Sequence, residues 1–278
     1  MNRSTMMKIL ITVILIPCFC YGGIPYKLSD FVKMNLGVHT SDSEDQFISM
    51  LHAYNHAYGV RYSIRQLYNN IVRTDELFSI NSRFTSKAIA RTTGISSRFG
   101  WYDPADPVNS RQSLFGMDGE YFGYFYDVPR SVEPGIQSIG FYLDATEYSH
   151  PAYTGGLWYS QSAMNSDVGN FDHLIALRAP DEWLARNSTI GTSYLLCWED
   201  MFWRGGSYSK RFRDGYSPNS YIPELGVYQS DRDYNDFMIQ IDQIVAVPES
   251  GTLLLLLLGS ILLFGMKYYT KHKDEVLN

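Results

Sequence analysis

The chain has 278 residues, 45% of them hydrophobic and 19% charged. That balance is ordinary for a globular protein and excludes wholesale disorder. Aromatic residues reach 15%, with 22 tyrosines among them, an excess that suits a β-rich fold with a polar, aromatic surface. The formal charge is −6; with no basic excess to counter phosphates, no nucleic-acid partner is expected.

The first segment reads as a sorting device. Arg3 and Lys8 precede a short apolar run from Ile9 to Ile16, in which Thr12 is polar, and small residues follow around Tyr21-Gly22-Gly23. This is the pattern of a secretory signal peptide over residues 1–22. The run is too short for a comfortable membrane span. A lipoprotein reading would use Cys18 or Cys20, but neither follows the small residues such a site needs. If both leave with the signal, Cys197 is the one remaining cysteine. The exported part then has no internal disulfide and must be stabilised by its core or by a bound ion.

Residues 23–248 form the exported part. The signal carries two cations, and the tail after Pro248 carries three cations and three anions. The 226 residues between them hold 18 Lys+Arg against 26 Asp+Glu, a net charge of −8. An acidic exterior favours solubility and divalent cations. A helical lead-in occupies 23–85. Ser43 and Gln46 have capping-box spacing, and Phe47, Leu51, Tyr54 and Tyr58 follow on one helical face; Ile64, Leu67, Tyr68 and Ile71 repeat that spacing. Helices are therefore predicted at about 43–58 and 63–73. His52 and His56 lie one turn apart, either as a metal pair or as a solvated or half-buried pair, with no third ligand nearby in sequence.

From residue 86 to 247 the period changes to two. Strands are expected at 86–92, 97–102, 121–127, 136–144, 171–178, 192–198 and 235–245, punctuated by Asp103-Pro104, Asp106-Pro107, Glu133-Pro134-Gly135, Thr154-Gly155-Gly156 and Asp167-Val168-Gly169. Short aromatic strands without intervening helices predict a mainly β domain, an antiparallel β-sandwich or jelly roll. In the last strand Phe237, Ile239 and Ile241 face one way, and Met238, Gln240 and Asp242 the other.

Two acidic motifs carry the sharpest chemical signal: Trp198-Glu199-Asp200 and Ser230-Asp231-Arg232-Asp233-Tyr234-Asn235-Asp236. One ends a predicted strand and the other begins one. In an antiparallel pair they become neighbours. Five carboxylates and an amide at Glu199, Asp200, Asp231, Asp233, Asn235 and Asp236 need counter-charge. Calcium, with six to eight oxygen ligands, would supply it. Asp231, Asp233 and Asn235 copy the first ligand spacing of an EF-hand, but Asp236 stands where that loop needs Gly, and a strand follows instead of a helix. A solvated or salt-bridged acidic turn and a pair of catalytic carboxylates are the other readings. The connection 201–229 interleaves Trp203, Tyr208, Tyr216 and Tyr221 with Arg204, Lys210, Arg211 and Arg213. It is either a glycan-binding loop or an exposed insertion that balances the neighbouring acids. Asp172-His173 suggests a nucleophilic triad, yet no Gly-x-Ser-x-Gly elbow exists. A structural contact, or a supporting role beside the acidic motifs, is the expectation.

The last segment is a second sorting device. Pro248-Glu249-Ser250-Gly251-Thr252 precedes an apolar stretch from Leu253 to Met266, and Lys267, Lys271, His272 and Lys273 follow. The stretch spans about 21 Å as a helix. With flanking residues it gives a predicted transmembrane helix at 252–269, with the lysines inside and the main domain outside. This tripartite segment, 248–273, resembles the PEP-CTERM sorting signal, with Ser250 where Pro is usual. The resemblance implies a membrane anchor in the inner membrane before processing, recognition by an exosortase-type membrane transpeptidase at Pro248, Glu249 and Ser250, and a final place at the cell surface or in an extracellular polysaccharide matrix.

The acidic motifs carry a second resemblance. Together with Phe99-Gly100-Trp101-Tyr102-Asp103, Phe141-Tyr142-Leu143 and Phe171-Asp172-His173-Leu174, they make residues 86–247 similar to the domain of unknown function number 4114, a bacterial extracellular module. The longer connection at 201–229 and Cys197 at a position expected to be small depart from that pattern. The combined expectation is a non-enzymatic exported module stiffened by Ca2+. The rivals are a glycan-acting hydrolase using the acidic cluster and a glycan-binding module using the 201–229 loop.

Overall fold

The computed structural model describes residues 49–72, 77–91, 96–117, 123–124, 129–146, 149–150, 153–154, 156–165, 172–199, 221–222, 227–228, 234 and 236–247. All of them belong to one compact unit, Tyr26–Val247. The predicted signal peptide 1–22, the motif Pro248-Glu249-Ser250 and the segment 252–269 lie outside the described residues. No helix among the described residues is long and apolar enough to cross a membrane.

Two short helices open the described chain. α1 (Met50–Tyr58) begins at Ser49, whose backbone is extended and whose side-chain oxygen accepts from the His52 amide, and it ends at Gly59 with φ 61°. Glycine suits that left-handed stop because it has no Cβ to clash. The helix therefore starts at Met50, not at about 43; the expected cap at Ser43 and Gln46 falls outside the described residues. α2 (Ile64–Asn69) opens with a capping box between Ser63 and Gln66. It is shorter than the predicted 63–73 because residues 70–72 leave it to pair with a strand.

The rest is antiparallel β structure. Its main strands are β1 (Leu77–Arg91), β2 (Ser97–Tyr102), β3 (Gln112–Met117), β4 (Gly123–Tyr124), β5 (Arg130–Val132), β6 (Ser138–Asp144), β7 (Ser149–His150), β8 (Tyr153–Thr154), β9 (Leu157–Tyr159), β10 (Leu174–Arg178), β11 (Ser193–Trp198), β12 (Tyr221–Ile222), β13 (Val227–Tyr228) and β14 (Phe237–Val247). Among the described residues one sheet runs β10-β11-β14-β1-β6-β2-β3, with β4 and β5 beside β1 and β9 beside β6. The hairpins β7–β8 and β12–β13 stand apart. β1 begins nine residues before the expected start of the β domain. A further helix, α3 (Asp181–Arg186), interrupts the run between β10 and β11 where no helix was expected.

Alternation divides the sheet's side chains between two cores. Tyr194, Leu196 and Trp198 of β11, Phe237, Ile239 and Ile241 of β14, and Leu174 and Ala176 of β10 turn to one side, where Phe99, Phe115, Phe141, Leu143 and Trp158 meet them. Phe99 of β2 lies 6.2 Å, ring to ring, from both Trp198 and Phe237. Four strand steps separate β2 from β11 along the sheet, or about 19 Å if it were flat. The sheet therefore bends until its two ends share one core. On the opposite side, Ile175, Leu177, Leu195, Cys197 and Met238 pack under Met50, Ala53, Tyr54, Tyr58 and Leu67 of the helices.

The chain after α2 seals an exposed edge. The Val72 amide donates to Ala176 O at 2.9 Å, and the Arg178 amide donates to Asn70 O at 2.9 Å. An edge strand left open would template pairing with another chain; here a three-residue stretch closes β10.

Candidate acidic site at the end of the sheet

β11 and β14 pair in register from Ser193↔Asp242 to Trp198↔Phe237. Both strands alternate cleanly, so a slip of one residue would turn Trp198, Leu196 and Phe237 out of the core. That register places the residue after Trp198 beside the residue before Phe237. Glu199 and Asp236, drawn from the two acidic motifs, therefore adjoin the last pair of the ladder at one end of the sheet. Glu199 is fully buried and Asp236 half-buried. Asp200, Asp231, Asp233 and Asn235 lie outside the described residues.

The backbone at this end is tightly tied. The Glu199 amide donates to His173 O at 3.0 Å, and the Glu199 carbonyl lies 3.0 Å from His173 Nδ1. That contact makes Nδ1 the protonated nitrogen, because a carbonyl only accepts. The buried His173 ring stacks on Trp158 at 3.7 Å and 8°. Asp172 Oδ1 accepts from the Leu174 amide at 3.0 Å, and the Tyr234 hydroxyl donates to Asp172 O at 2.6 Å. Tyr234 is buried and holds φ at 55°, a left-handed backbone that costs a non-glycine residue of order 1 kcal/mol or more. Burial of its ring and its bond to Asp172 hold it there.

Arg91 is the feature that sequence reading did not single out. It ends β1 in register with Phe237, and its side chain is fully buried. Trp198 and Arg91 thus flank Phe237 on either side, and a buried guanidinium stands at the same end of the sheet as a buried carboxylate. Each charge would be costly alone. Its sequence signal was faint: Ala88-Ile89-Ala90-Arg91 reads as a buried strand with a charge at its tip, and such tips are usually solvated.

The other candidates fall in different places. Trp203, Tyr208 and Tyr216 lie outside the described residues. The backbone of Tyr221 opens β12 and pairs with Tyr228. His52 and His56 are both exposed on α1. Among the described residues no group of three His, Cys, Asp or Glu side chains is arranged to hold a metal ion. The Cys197 thiol is buried on the helix-covered side, and burial pushes it well above the usual thiol range. A thiol held neutral in this way is a poor nucleophile at neutral pH. The Trp198 indole Nε1 is also buried, with no hydrogen-bond partner among the described residues.

The arrangement is a charged pole built into the end of the sheet: a buried carboxylate, a half-buried carboxylate, a buried guanidinium and a buried imidazole with one assigned proton. Burying such groups is costly without compensating partners, so this end of the sheet is the most electrostatically demanding part of the described fold. In comparisons with known proteins, no family model and no curated sequence matches the chain.

Proposed function

We propose that this chain is a non-enzymatic exported protein of the cell surface or extracellular polysaccharide matrix, whose β domain is stiffened by calcium. In this reading residues 1–22 direct export, and residues 248–273 anchor the chain in the inner membrane for an exosortase-type transpeptidase. The domain folds as an antiparallel sandwich or jelly roll like that of the domain of unknown function number 4114. Glu199, Asp200, Asp231, Asp233, Asn235 and Asp236 supply the oxygen ligands. The observation that supports this most is the position of Glu199 and Asp236, one from each acidic motif, next to the last pair, Trp198↔Phe237, of β11 and β14. A fully buried carboxylate favours a structural ion over the open cleft in which a glycosidase holds its two carboxyl groups, roughly 5–10 Å apart.

Thermal unfolding of the full chain, first in EDTA and then in millimolar calcium, tests the reading. A ligand at a hundredfold excess over Kd stabilises the folded state by about 2.7 kcal/mol. The midpoint then rises by several degrees, and Glu199→Gln or Asp233→Asn removes the rise. No shift with calcium, magnesium or manganese would sink the metal site and turn attention to polysaccharide hydrolysis and retention.

A further inference from the structure

The contact between α1 and the sheet is largely apolar; the Tyr54 hydroxyl donates to Arg178 O at 2.6 Å, and a second polar chain runs deeper. Tyr58 Oη lies 3.1 Å from Ser193 Oγ, with both side chains buried. Ser193 stands directly opposite Asp242 on β14. On that pairing the Ser193 hydroxyl stands beside the Asp242 carboxyl group and favours its ionised form, and Gln240 Nε2 donates to Asp242 Oδ1 at 3.0 Å. Lys87 on β1, paired opposite Gln240, faces the same carboxylate. The surroundings are Ala53, Leu195, Cys197 and Met238 of the helix-side core.

The backbone at Asp242 is irregular in a way that keeps the group in place. Gln243 has φ 69°. β1 also leaves its ladder here, with pairing jumping from Ile80↔Ile244 to Thr85↔Asp242. Irregular pairing of this kind re-aims a side chain relative to the regular strand. It leaves a half-buried acid beneath a helix, where a regular strand would carry an apolar residue.

We propose that Tyr58, Ser193 and Asp242 form a proton-dependent latch, which tightens α1 on the sheet when Asp242 is protonated and loosens it when Asp242 ionises. The hydrogen bonds survive either state. With Asp242 ionised, Tyr58 O–H donates to Ser193 and Ser193 O–H donates to the carboxylate. With Asp242 protonated, the acid donates to Ser193 and the chain reverses. What changes is the charge left in a dehydrated contact. Burial holds this carboxyl above the usual carboxylate range, opposed by the bonds from Ser193 and Gln240 and by Lys87. From α1 the facing group is the Tyr58 hydroxyl, which burial keeps neutral; the neighbouring Cys197 thiol is neutral for the same reason. A raised folded-state pKa means that the folded chain holds this proton to higher pH than the unfolded chain. The latch contribution is therefore complete below the unfolded value and is lost as pH rises through the folded one.

Amide hydrogen exchange on the full chain, corrected for the intrinsic pH dependence of exchange, tests this between pH 4 and 8. We expect α1 amides to open several-fold more often as pH rises, while β2 and β6 amides do not change. Asp242→Asn should make α1 opening independent of pH. Lys87→Met, which removes the facing cation, should move the α1 transition to higher pH. A wild-type α1 with no transition, an Asp242→Asn chain that keeps it, or a Lys87→Met chain with an unmoved midpoint would each overturn the latch.

Discussion

On one outer face of the sheet, β10, β11 and β14 lie beneath two helices; on the other, β2, β6 and β9 lie beneath their own tyrosines. Leu67, Tyr54 and Met50 bring separate elements to cover Leu177, Leu195 and Met238. Tyr102, Tyr142 and Tyr159 instead cover the face they stand on, joined by Leu157 and Met164. They can lie down because their seats are glycines. A Cβ on Gly140 would collide with the Tyr102 ring, and one on Gly100 would meet the Tyr142 ring at 2.6 Å. Tyr102 and Tyr159 pack edge to face at 5.2 Å, and the Arg111 guanidinium lies 5.8 Å from the centre of the Tyr142 ring. A face can thus be closed by tertiary docking or by local side-chain geometry, and the two should fail differently. Docking is lost when the visiting element loosens. A tyrosine cover is lost when its seat is filled.

The largest expected effect is on the docked face. Leu67→Ala removes a fully buried side chain from α2 and should cost about 2–5 kcal/mol. Hydrogen exchange should find the Val72 and Arg178 amides opening first, because residues 70–72 follow α2 onto the β10 edge. If exchange rises equally in β2 and β6, the two faces are not separate. Gly140→Ala tests the other face and should cost about 1–3 kcal/mol by overpacking. Gly116→Ala is its control: a Cβ there meets nothing closer than Arg98 Cγ at 3.9 Å, and chemical denaturation should place it within about 0.5 kcal/mol of the parent. Equal losses in the two variants would dismiss the glycine seats. A smaller loss than at Leu67 is expected of Ser49→Ala, which removes the α1 cap at about 1 kcal/mol and should speed exchange in α1 without changing the tyrosine-covered strands.

Much of the fold was legible where alternation ran unbroken. The strands expected at 97–102, 136–144, 192–198 and 235–245 match β2, β6, β11 and β14 within two residues at either end, because each buries one residue in two against a core. β1 was cut short in the reading. Asn81, Ser82 and Arg83 sit where its pairing to β14 jumps, so the alternation that identifies a strand is missing there. β3 and β9 were overlooked: Gln112–Met117 contains Gly116, and Leu157–Tyr159 is three residues long. Neither gives a period to count. α3 follows Pro180 and has six residues, too few for a helical stripe. The start of α1 shows the limit of local rules. Ser43 and Ser49 both offer a capping side chain, and the helix begins where Met50, Ala53 and Tyr54 become buried.

The acidic pole was legible as two motifs but not as a place. Spacing along the chain identified Glu199 and Asp236 as candidates, since one ends an apolar strand and the other begins one. It did not reveal Arg91, which lies 108 residues before Glu199 in the chain and reaches the pole through its pairing with Phe237. Periodicity by itself determined that the chain is mainly β, which residues of the long strands share a face, and which short segments turn. These are properties of neighbours one to four residues apart. The bend that brings Phe99 against Trp198, the helices laid over β11, and the charges gathered at one end were decided by tertiary structure, because each depends on contacts between segments that the chain separates by tens of residues.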